Sequence, residues 1–326
     1  MKILVIFTGG TIGSAKAGGW VAPDEKTKYM LIDSYKNAAE NGVEFVARSP
    51  YTILSEQLSG KELSLLCGAV AEGLCGEYDG IVVAHGTDTL QYSTAAVALA
   101  VGGDSIPVVF VSSGYPLEDS RANGPINFEA AVEFIRAKAG RGVFVSYAND
   151  LDGEVDIHHA ARCLRHPELS DKVFSLGGPY ARYEKGAISL CEGYAVPKVS
   201  EPLGKVDFCE NPGILTVAVN PADGYNYSLE GIKAVVLLPY HSGTLNTDGG
   251  RFVEFCRRAK EKDIPMFLPD IPAGAAYESM KAYEDLGIIP LPSCASVTLT
   301  VKLWLGISKG ADLGDFIKRP INGEFL

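Results

Sequence analysis

Residues 2–13 read Lys-Ile-Leu-Val-Ile-Phe-Thr-Gly-Gly-Thr-Ile-Gly, and this stretch is the strongest indication of the fold. The apolar run 3–6 has the length of a short buried strand, and a glycine pair follows it almost at once. In open α/β sheets, ligands bind beyond the carboxyl ends of the strands, where glycines let the backbone turn sharply. The stretch therefore predicts a strand at 2–8 that delivers the hydroxyl of Thr11 into a ligand-binding crevice.

This glycine turn has two other interpretations. A Gly-x-Gly-x-x-Gly phosphate cradle fails because position 8 is threonine, and no Gly-Lys-Ser/Thr of a P-loop follows. A structural turn, in which Thr11 only caps the next segment, stays open from this motif alone. A threonine nucleophile needs a nearby base or a strong electrostatic field, so its partners must come from elsewhere in the chain.

A second turn of this kind lies at 85–89, which reads His-Gly-Thr-Asp-Thr. It follows the apolar run 81–84 and precedes the Ala- and Val-rich segment 90–101, which we predict to be a buried helix. Capping of that helix by one of these polar side chains is the structural interpretation. Because parallel strands present their carboxyl ends at one edge of a sheet, the two motifs together predict hydroxyl-rich turns that converge on one site.

Length and composition limit the classes of protein to consider. The chain has 326 residues, which at about 150 residues per domain predicts two domains. Its 47% hydrophobic and 21% charged residues are typical of a well-packed globular protein. The net charge of −11, with no basic run, argues against nucleic acid or an anionic membrane as a partner and favours a small ligand.

The cysteines and the amino terminus favour a cytoplasmic location. The seven cysteines include no Cys-x-x-Cys pair, and an odd number suits a reducing compartment better than a disulfide framework. The apolar run 3–7 is too short for a signal-peptide core. No apolar stretch approaches the roughly 20 residues of a membrane span.

Strand-like apolar runs alternate with helical patterns in two series. The first predicts strands at 2–8, 43–48, 80–84, 107–111 and 142–147, and helices at 64–74, at 90–101 and ending near 140. The second predicts strands at 214–219, 234–238, 265–268 and 287–289, and helices at 251–261, 275–286 and 296–306.

Between the two series, from about 176 to 212, the periodicity weakens and Gly, Pro and Tyr become frequent, so we expect an interdomain connection there. The fold class is therefore α/β, with a larger doubly wound amino-terminal domain on a mostly parallel sheet and a smaller α/β carboxyl-terminal domain. We expect the first domain to span 1–190, the connection 191–212 and the second domain 213–326.

The two motifs, with the segment 107–125, resemble the bacterial-type L-asparaginase family, closer to its cytoplasmic type I form. That segment contains Val108-Val109-Phe110-Val111 and Pro116, and it ends within Asn123-Gly124-Pro125-Ile126-Asn127. The likeness extends over nearly the whole chain. It implies hydrolysis of asparagine to aspartate and ammonia with no cofactor and no metal. It also implies a homodimer or homotetramer with sites between subunits.

The resemblance assigns roles to residues of this chain. Thr11 is the nucleophile that forms an acyl-enzyme, and Thr87 is a second catalytic threonine. Asp88 holds the substrate ammonium and Ser55 binds its α-carboxylate. An amino-acid substrate carries both charges, so acceptors on one side and donors on the other are physically reasonable.

Further substrate contacts follow from the same resemblance. Glu56 fits the ammonium side, although the segment 55–57 also has the pattern of a loop that leads into a helix. The backbone carbonyl of Ser113 falls where the family anchors the leaving nitrogen. Backbone N–H groups of the glycine turns, including that of Gly10, are expected to stabilise the oxyanion.

The chain departs from the family pattern at the lysine of the catalytic triad. The best match to that lysine is Arg165, and a shorter alignment places His158 there instead. Guanidinium stays protonated and cannot act as a general base, whereas imidazole can. One hypothesis is that Arg165 acts electrostatically on Thr87. The other is that the substrate preference has shifted to glutamine or a modified asparagine.

A second departure concerns the loop tyrosine that the family supplies near the nucleophile. Gly18-Gly19-Trp20 stands there, and Tyr29 is the next candidate, with poor spacing. Indole cannot exchange a proton with Thr11, so Trp20 would close the site without replacing the hydroxyl. Without general-base assistance, the reaction rate would be lower by roughly 100-fold to 10,000-fold.

Weaker signals leave other interpretations open. His158, His159, Cys163 and His166 have spacings that suit a zinc site. The segment 241–244, His-Ser-Gly-Thr, either contributes to a neighbouring subunit's site or caps a turn. A dinucleotide-binding oxidoreductase is disfavoured by the glycine spacing, and the absence of Gly-x-Ser-x-Gly leaves a serine hydrolase unsupported. A non-catalytic amino-acid-binding relative stays open because of Trp20 and Arg165.

Overall fold

The computed structural model of the protein contains a large sheet, a smaller sheet and a two-stranded hairpin. It describes residues 1–10, 12, 14–17, 20–23, 25–35, 42–102, 105–194, 203–269, 271, 274 and 276–326, with the backbone alone for 14–17, 20–23 and 25–28. Its strands are β1 (Lys2–Phe7), β2 (Ser14–Ala17), β3 (Trp20–Pro23), β4 (Glu44–Arg48), β5 (Gly80–Ala84), β6 (Pro107–Val111), β7 (Gly142–Tyr147), β8 (Glu154–His159), β9 (Ala181–Glu184), β10 (Ala187–Leu190), β11 (Ile214–Ala218), β12 (Ala234–Leu238), β13 (Met266–Leu268) and β14 (Ile288–Pro290). Its α-helices are α1 (Glu25–Ser34), α2 (Gly60–Leu74), α3 (Leu90–Ala100), α4 (Gly124–Arg136), α5 (Gly250–Glu261), α6 (Ser296–Ser308) and α7 (Leu313–Lys318).

The large sheet has eight strands in the order β10-β9-β8-β7-β6-β5-β1-β4. The five strands from β4 to β7 pair in parallel, and β1 lies between β4 and β5. From β1 the chain first adds a strand on one side and then builds outward on the other. The topological switch point of this doubly wound sheet therefore lies between β1 and β5, and the crevice beyond it is where such folds bind ligands.

Helices cover both faces of the large sheet because its central strands alternate their buried side chains. In β1, Leu4 and Ile6 pack in one core with α2 and α3, whereas Ile3 and Val5 pack in another with α1 and α4. The α3 helix is buried at ten of its eleven positions. Val301 and Leu305 of α6 join the core around it, so the carboxyl-terminal part of the chain covers this helix.

The amino-terminal ends of two helices follow from local sequence. Ser59 caps α2 by accepting a hydrogen bond from the backbone N–H of Lys61 at 3.3 Å, and its own hydroxyl donates to Glu62. This Ser-x-x-Glu pattern resembles a capping box. Proline at the start of α4 supplies a backbone angle suited to a first helical turn.

Antiparallel strands extend the large sheet on its β7 side. β8 pairs antiparallel with β7, and the β9–β10 hairpin continues from β8. The weak periodicity from 176 onward predicted an irregular connection, but β9 and β10 occupy 181–190. Their signal is weak because each has only four residues and both lie at the sheet edge, where most side chains of β10 are exposed.

The smaller sheet has four parallel strands in the order β11-β12-β13-β14. Its core on one face includes Phe252 and Phe255 of α5, and on the other face Leu299 and Leu303 of α6. The α/β fold class with a larger and a smaller sheet is thus as the sequence predicts.

The carboxyl-terminal tail ties this smaller part to the larger one. The side-chain amide of Asn322 donates to the carbonyl of Ala98 in α3 at 2.6 Å, and the buried guanidinium of Arg162 donates to the carbonyl of Gly323 at 2.8 Å. Arg162 ends the 3₁₀ turn that follows β8. The tail therefore holds the base of the segment that begins at 163.

The helix predicted at 275–286 is wrong over the described part of that segment. Only a 3₁₀ turn, Glu278–Ala282, forms there, and it contains no buried residue. Tyr283 is the only fully buried side chain of 276–286, so the segment lacks the continuous apolar face that would stabilise an α-helix. Among the described helices, none has the length and apolarity to cross a membrane.

Candidate active site

The glycine pair after β1 lies against two other parts of the chain. Gly9 and Gly10 have φ values of 102° and 75°, in the left-handed region that favours glycine. The N–H of Gly10 donates to the carbonyl of Ile53 at 2.9 Å, and the N–H of Ile53 donates to the carbonyl of Thr8 at 3.1 Å. A Cβ atom on Gly10 would overlap the Cα of Gly86. Both glycines are thus needed for the backbone to approach this closely.

The side chain of His85 supports the turn after β5 through two hydrogen bonds. Its Nδ1 donates to the carbonyl of Gly86 and its Nε2 accepts from the hydroxyl of Ser93, each at 2.8 Å, since a carbonyl only accepts. Burial lowers the pKa of His85 to about 4, so the ring is neutral at neutral pH. With its lone pair engaged by Ser93, His85 supports the turn and is not placed to take a proton from a substrate.

A third segment completes the convergence. Ser55 begins the 3₁₀ turn Ser55–Gln57, is 6% exposed, and donates from its hydroxyl to Asp88 Oδ2 at 3.1 Å. Thr89 Oγ1 donates back to the carbonyl of Ser55 at 2.8 Å. A Cβ atom on Gly86 would lie 2.5 Å from the Cβ of Ser55. The loops after β1, β4 and β5 therefore meet at one point.

The remaining predicted substrate contacts are placed differently. Ser113 follows β6, is fully buried, and its hydroxyl donates to the carbonyl of Tyr115 at 2.5 Å. Glu56 is exposed and makes no hydrogen bond or ion pair with the part of the chain that the structure describes. The structure thus groups Gly10, Ser55 and Asp88 more closely than it groups Glu56 with them.

A cavity of about 1030 Å³ opens beside Thr87 and Asp88. Arg165 and His166 line it together with residues 167–171 and with Gln91, Tyr92, Gly114 and Tyr115. His158 is not part of this lining: it is buried on β8, and its ring Nδ1 lies 2.8 Å from Ser175 Oγ. Of the two replacements considered for the family lysine, Arg165 is the one that lines the same cavity as Thr87.

His166 was missed as a site residue by sequence reasoning. Its ring Nε2 lies 2.9 Å from the carbonyl oxygen of Thr87. His166 immediately follows Arg165, so a match shifted by one residue along the chain would have found it. The spacing of nearby histidines and a cysteine directed attention to metal binding instead.

Three of the four residues in the zinc interpretation face separate partners in the structure. Within the described ranges, no group of three or more His, Cys, Asp or Glu side chains could hold a metal ion. His158 faces Ser175, His166 faces Thr87, and the thiol of Cys163 lies against the carbonyl of His159. Burial lowers the pKa of His159 to about 3, so its ring is neutral.

Several predicted residues cannot be related to this geometry. Thr11 lies outside the described residues, as do Gly18 and Gly19, and for Trp20 only the backbone is described, in β3. Tyr29 lies on α1 with 63% of its surface exposed. The 241–244 turn after β12 is held by its own contacts, with Gly243 N–H donating to the carbonyl of Tyr240 at 2.8 Å.

Comparison with known proteins gives this geometry a family. The profile described as Asparaginase, N-terminal, matches residues 2–187, more than half of the chain. The chain belongs to the asparaginase family. It is 27% identical to an L-asparaginase of Thermococcus kodakarensis over 340 aligned positions that cover 99% of each chain.

Other asparaginase-family relatives and solved structures agree with this assignment. A glutamyl-tRNA(Gln) amidotransferase subunit of Thermoplasma acidophilum is 32% identical over 59% of this chain and 47% of its own length. The structure of the T. kodakarensis enzyme matches with a TM-score of 0.82 at 22% identity, covering 100% of this chain and 99% of that one. A probable cytoplasmic L-asparaginase from Campylobacter jejuni matches with a TM-score of 0.76 at 20% identity, covering 97% and 98%. These structural likenesses establish the fold.

Proposed function

We propose that this chain hydrolyses L-asparagine to L-aspartate and ammonia through an acyl-enzyme on Thr11. Membership of the asparaginase family makes it an amidohydrolase. One observation carries the finer proposal, namely the backbone contact between Gly10 and Gly86. Thr11 is the next residue in the chain after Gly10, and Thr87 is the next after Gly86. The contact supports two threonine-bearing turns at one site.

In this mechanism, the Thr11 hydroxyl attacks the side-chain amide carbon and ammonia leaves, after which water releases aspartate from the ester. The N–H of Gly10 already donates to the carbonyl of Ile53, so the N–H groups that follow in the glycine turns are the donors for the oxyanion. The carbonyl of Ser113 anchors the departing nitrogen. Each of these steps needs the substrate oriented, because correct geometry supplies much of an enzyme's rate.

The charges of the substrate are met on opposite sides. Asp88 binds the α-ammonium, and the Ser55–Asp88 hydrogen bond supports this role because it orients the carboxylate. The hydroxyl of Ser55 has one proton, so it turns from Asp88 to the α-carboxylate when the substrate binds. Glu56, the next residue in the chain, adds negative charge on the ammonium side. Arg165 supplies positive charge beside Thr87 and stabilises developing negative charge, without acting as a base.

Ammonia release from asparagine, measured beside a Thr11→Ala control, tests the proposal. A catalyst releases ammonia and the Thr11→Ala variant does not. A protein that only binds amino acids would show a thermal shift with aspartate and no ammonia from either form. Replacing Arg165 with Met tests the electrostatic role separately, and unchanged turnover would remove it.

The size of the cavity favours a second candidate substrate class. About 1030 Å³ is at the upper end of small-molecule pockets, more than free asparagine fills. A modified asparagine or glutamine would use that space. Turnover of asparagine, glutamine and N-substituted asparagines by the native chain decides between them, and asparagine ranking clearly first would end this alternative.

Assembly and location complete the proposal. Dimers or tetramers with sites between subunits follow from the family resemblance, and light scattering of the purified chain measures the number of subunits. A cytoplasmic location is supported by the seven cysteines, none of which is in a disulfide bond in the structure.

A further inference from the structure

A hairpin-like segment, residues 163–175, carries the side chains that close one side of the cavity. Cys163 and Ser175 form an antiparallel bridge, and the N–H of Leu164 donates to the carbonyl of Phe174 at 2.8 Å. Just outside it, the N–H of Leu176 donates to the carbonyl of Arg162 at 2.9 Å. We call this segment the 163–175 hairpin. The base of the hairpin is therefore held by backbone contacts.

The ring of His166 connects the hairpin to Thr87. Its Nδ1 lies 2.9 Å from the carbonyl oxygen of Lys172, and its Nε2 lies 2.9 Å from the carbonyl oxygen of Thr87. Carbonyl oxygens only accept hydrogen bonds, so both nitrogens must donate, and an imidazole has two donors only when it is doubly protonated. A neutral ring would turn a lone pair toward one of the two carbonyls. The geometry is that of an imidazolium.

We propose that His166 is a positioning residue that acts as an imidazolium, fixing the Thr87 turn and holding a positive charge beside Thr87 and Asp88. This inference rests on the proposed function and gives the site a second cation, next in the chain to Arg165, which is the best match to the family's catalytic lysine. Arg165 then faces the same cavity without a hydrogen bond to any described residue. His166 therefore fixes the turn and carries a charge, whereas Arg165 acts only through its charge.

The surroundings of His166 contain both signs of charge. The ionisable side chains that line the same cavity are Asp88, Tyr92, Tyr115, Arg165, Glu168 and Asp171. Asp171 accepts a hydrogen bond from the hydroxyl of Tyr147 at 2.8 Å. The ammonium of Lys172 lies 2.9 Å from Asp150, so it is engaged on the outer side of the hairpin. The cavity wall around the ring thus carries the carboxylates of Asp88, Glu168 and Asp171 and the guanidinium of Arg165.

A histidine in this place makes turnover depend on pH in a way that a lysine would not. Imidazole groups lose their charge between about pH 5 and pH 8, whereas lysine amines keep theirs to about pH 10. Turnover is therefore expected to fall as pH rises through the titration of the ring. The substrate KM should change less, because the Ser55 and Asp88 contacts do not include His166.

The test compares kcat for ammonia release across pH in the native chain and in the His166→Lys, His166→Gln and Asp150→Asn variants. We expect His166→Gln to lower kcat about 100-fold and to remove the high-pH fall. His166→Lys should restore part of kcat and move the fall upward by about one pH unit or more. Asp150→Asn, which loosens the same hairpin without touching the ring, should keep the native profile.

A second measurement does not depend on the variants being active. In the native chain labelled with ¹⁵N-histidine, the ring signals that are missing from His166→Gln belong to His166. Both nitrogens should be protonated at the pH of maximal kcat, and one of the two should lose its proton as kcat falls. A neutral ring at that pH would overturn the inference.

The outcomes separate this inference from the proposed function. A native chain that releases no ammonia at any pH overturns both. An active native chain whose His166→Gln variant keeps the native kcat and pH profile overturns the role of His166 alone and leaves the threonine mechanism in place.

Discussion

Two histidines flank Thr87, and their surroundings are opposite. His85 lies below the turn after β5, fully buried, with one nitrogen donating to a carbonyl and the other accepting from a hydroxyl. His166 lies on the first arm of the 163–175 hairpin, partly exposed, with both nitrogens facing carbonyls. The first arrangement stabilises a neutral ring and the second a charged one. Acid therefore weakens the hydrogen bonds by which His85 supports the turn, whereas alkali weakens the contact between His166 and the carbonyl of Thr87.

The glycine turns and the 163–175 hairpin also differ in the kind of contact that holds them together. The turns after β1 and β5 touch through the backbone of Gly10 and Gly86, a contact that only glycine permits. Among the described hydrogen bonds, the one that joins the hairpin to Thr87 comes from the side chain of His166. Backbone proximity is rigid and independent of pH, while a side-chain tie can be altered by one proton. Substitutions at the backbone contact and in the hairpin therefore test this difference.

Gly10→Ala should have the largest effect. The new Cβ would overlap Gly86, so the turns must move apart, and we expect kcat to fall about 100-fold to 1000-fold because the reacting groups and the oxyanion donors are displaced. Ammonia release measures it. Gly186→Ala is the matched control, since Gly186 has a similar φ of 84° with open space around it and should lose only about 1–2 kcal/mol of stability. Equal activity in both variants would contradict the close-contact account.

The buried support should show itself in acid. The pKa of His85 is lowered to about 4 by burial, so the unfolded chain binds a proton there before the folded chain does, and stability is lost as pH falls from about 6.5 to 4. The shift corresponds to about 3 kcal/mol. In denaturant unfolding at neutral pH and near pH 4, His85→Gln should lose less stability on acidification than the native chain does.

His241→Gln is the control for this comparison, because His241 is exposed. It should keep the native dependence on pH, and the carboxylates common to all three chains cancel in the differences. An identical loss for His85→Gln and the native chain would argue that the buried ring is not neutral.

Ser55→Ala should have a moderate effect on substrate binding. It removes the hydroxyl that donates to Asp88 at 3.1 Å, and a hydrogen bond to a charged group contributes about 1.5–3 kcal/mol. We expect kcat/KM for asparagine to fall at least about 10-fold, mostly through KM. Ser189→Ala on the exposed strand β10 is the control. A change in kcat alone would indicate a role in the chemical step.

The smallest effect is expected on the outer side of the hairpin. Asp150 and Lys172 form an ion pair in which the side chains are 66% and 41% exposed, and such pairs contribute at most about 1 kcal/mol. The Asp150→Asn variant should unfold within about that margin of the native chain. A larger loss would mean that this pair, and not His166 alone, holds the hairpin in place.

Much of the fold was predictable because its central strands and helices are strongly patterned. The strand predicted at 80–84 and the helix at 251–261 agree with the structure to within one residue, since apolar runs and amphipathic periodicity survive without knowledge of the tertiary contacts. The helix predicted at 275–286 is wrong because the apolar residues of that segment do not form one continuous buried face. The edge strands β9 and β10 were hidden by their shortness and exposure.

Local sequence was sufficient for the strand–glycine turns around Gly10 and Gly86, because the need for a sharp, side-chain-free backbone is written in the residue type at those positions. It could not specify which residue of the segment 163–175 faces Thr87. Arg165 and His166 are neighbours in the chain, and only the pairing of Cys163 with Ser175 and the carbonyl of Lys172 orient one ring toward the turn. That choice depends on hydrogen bonds between residues far apart in sequence, which exist only once the chain has folded.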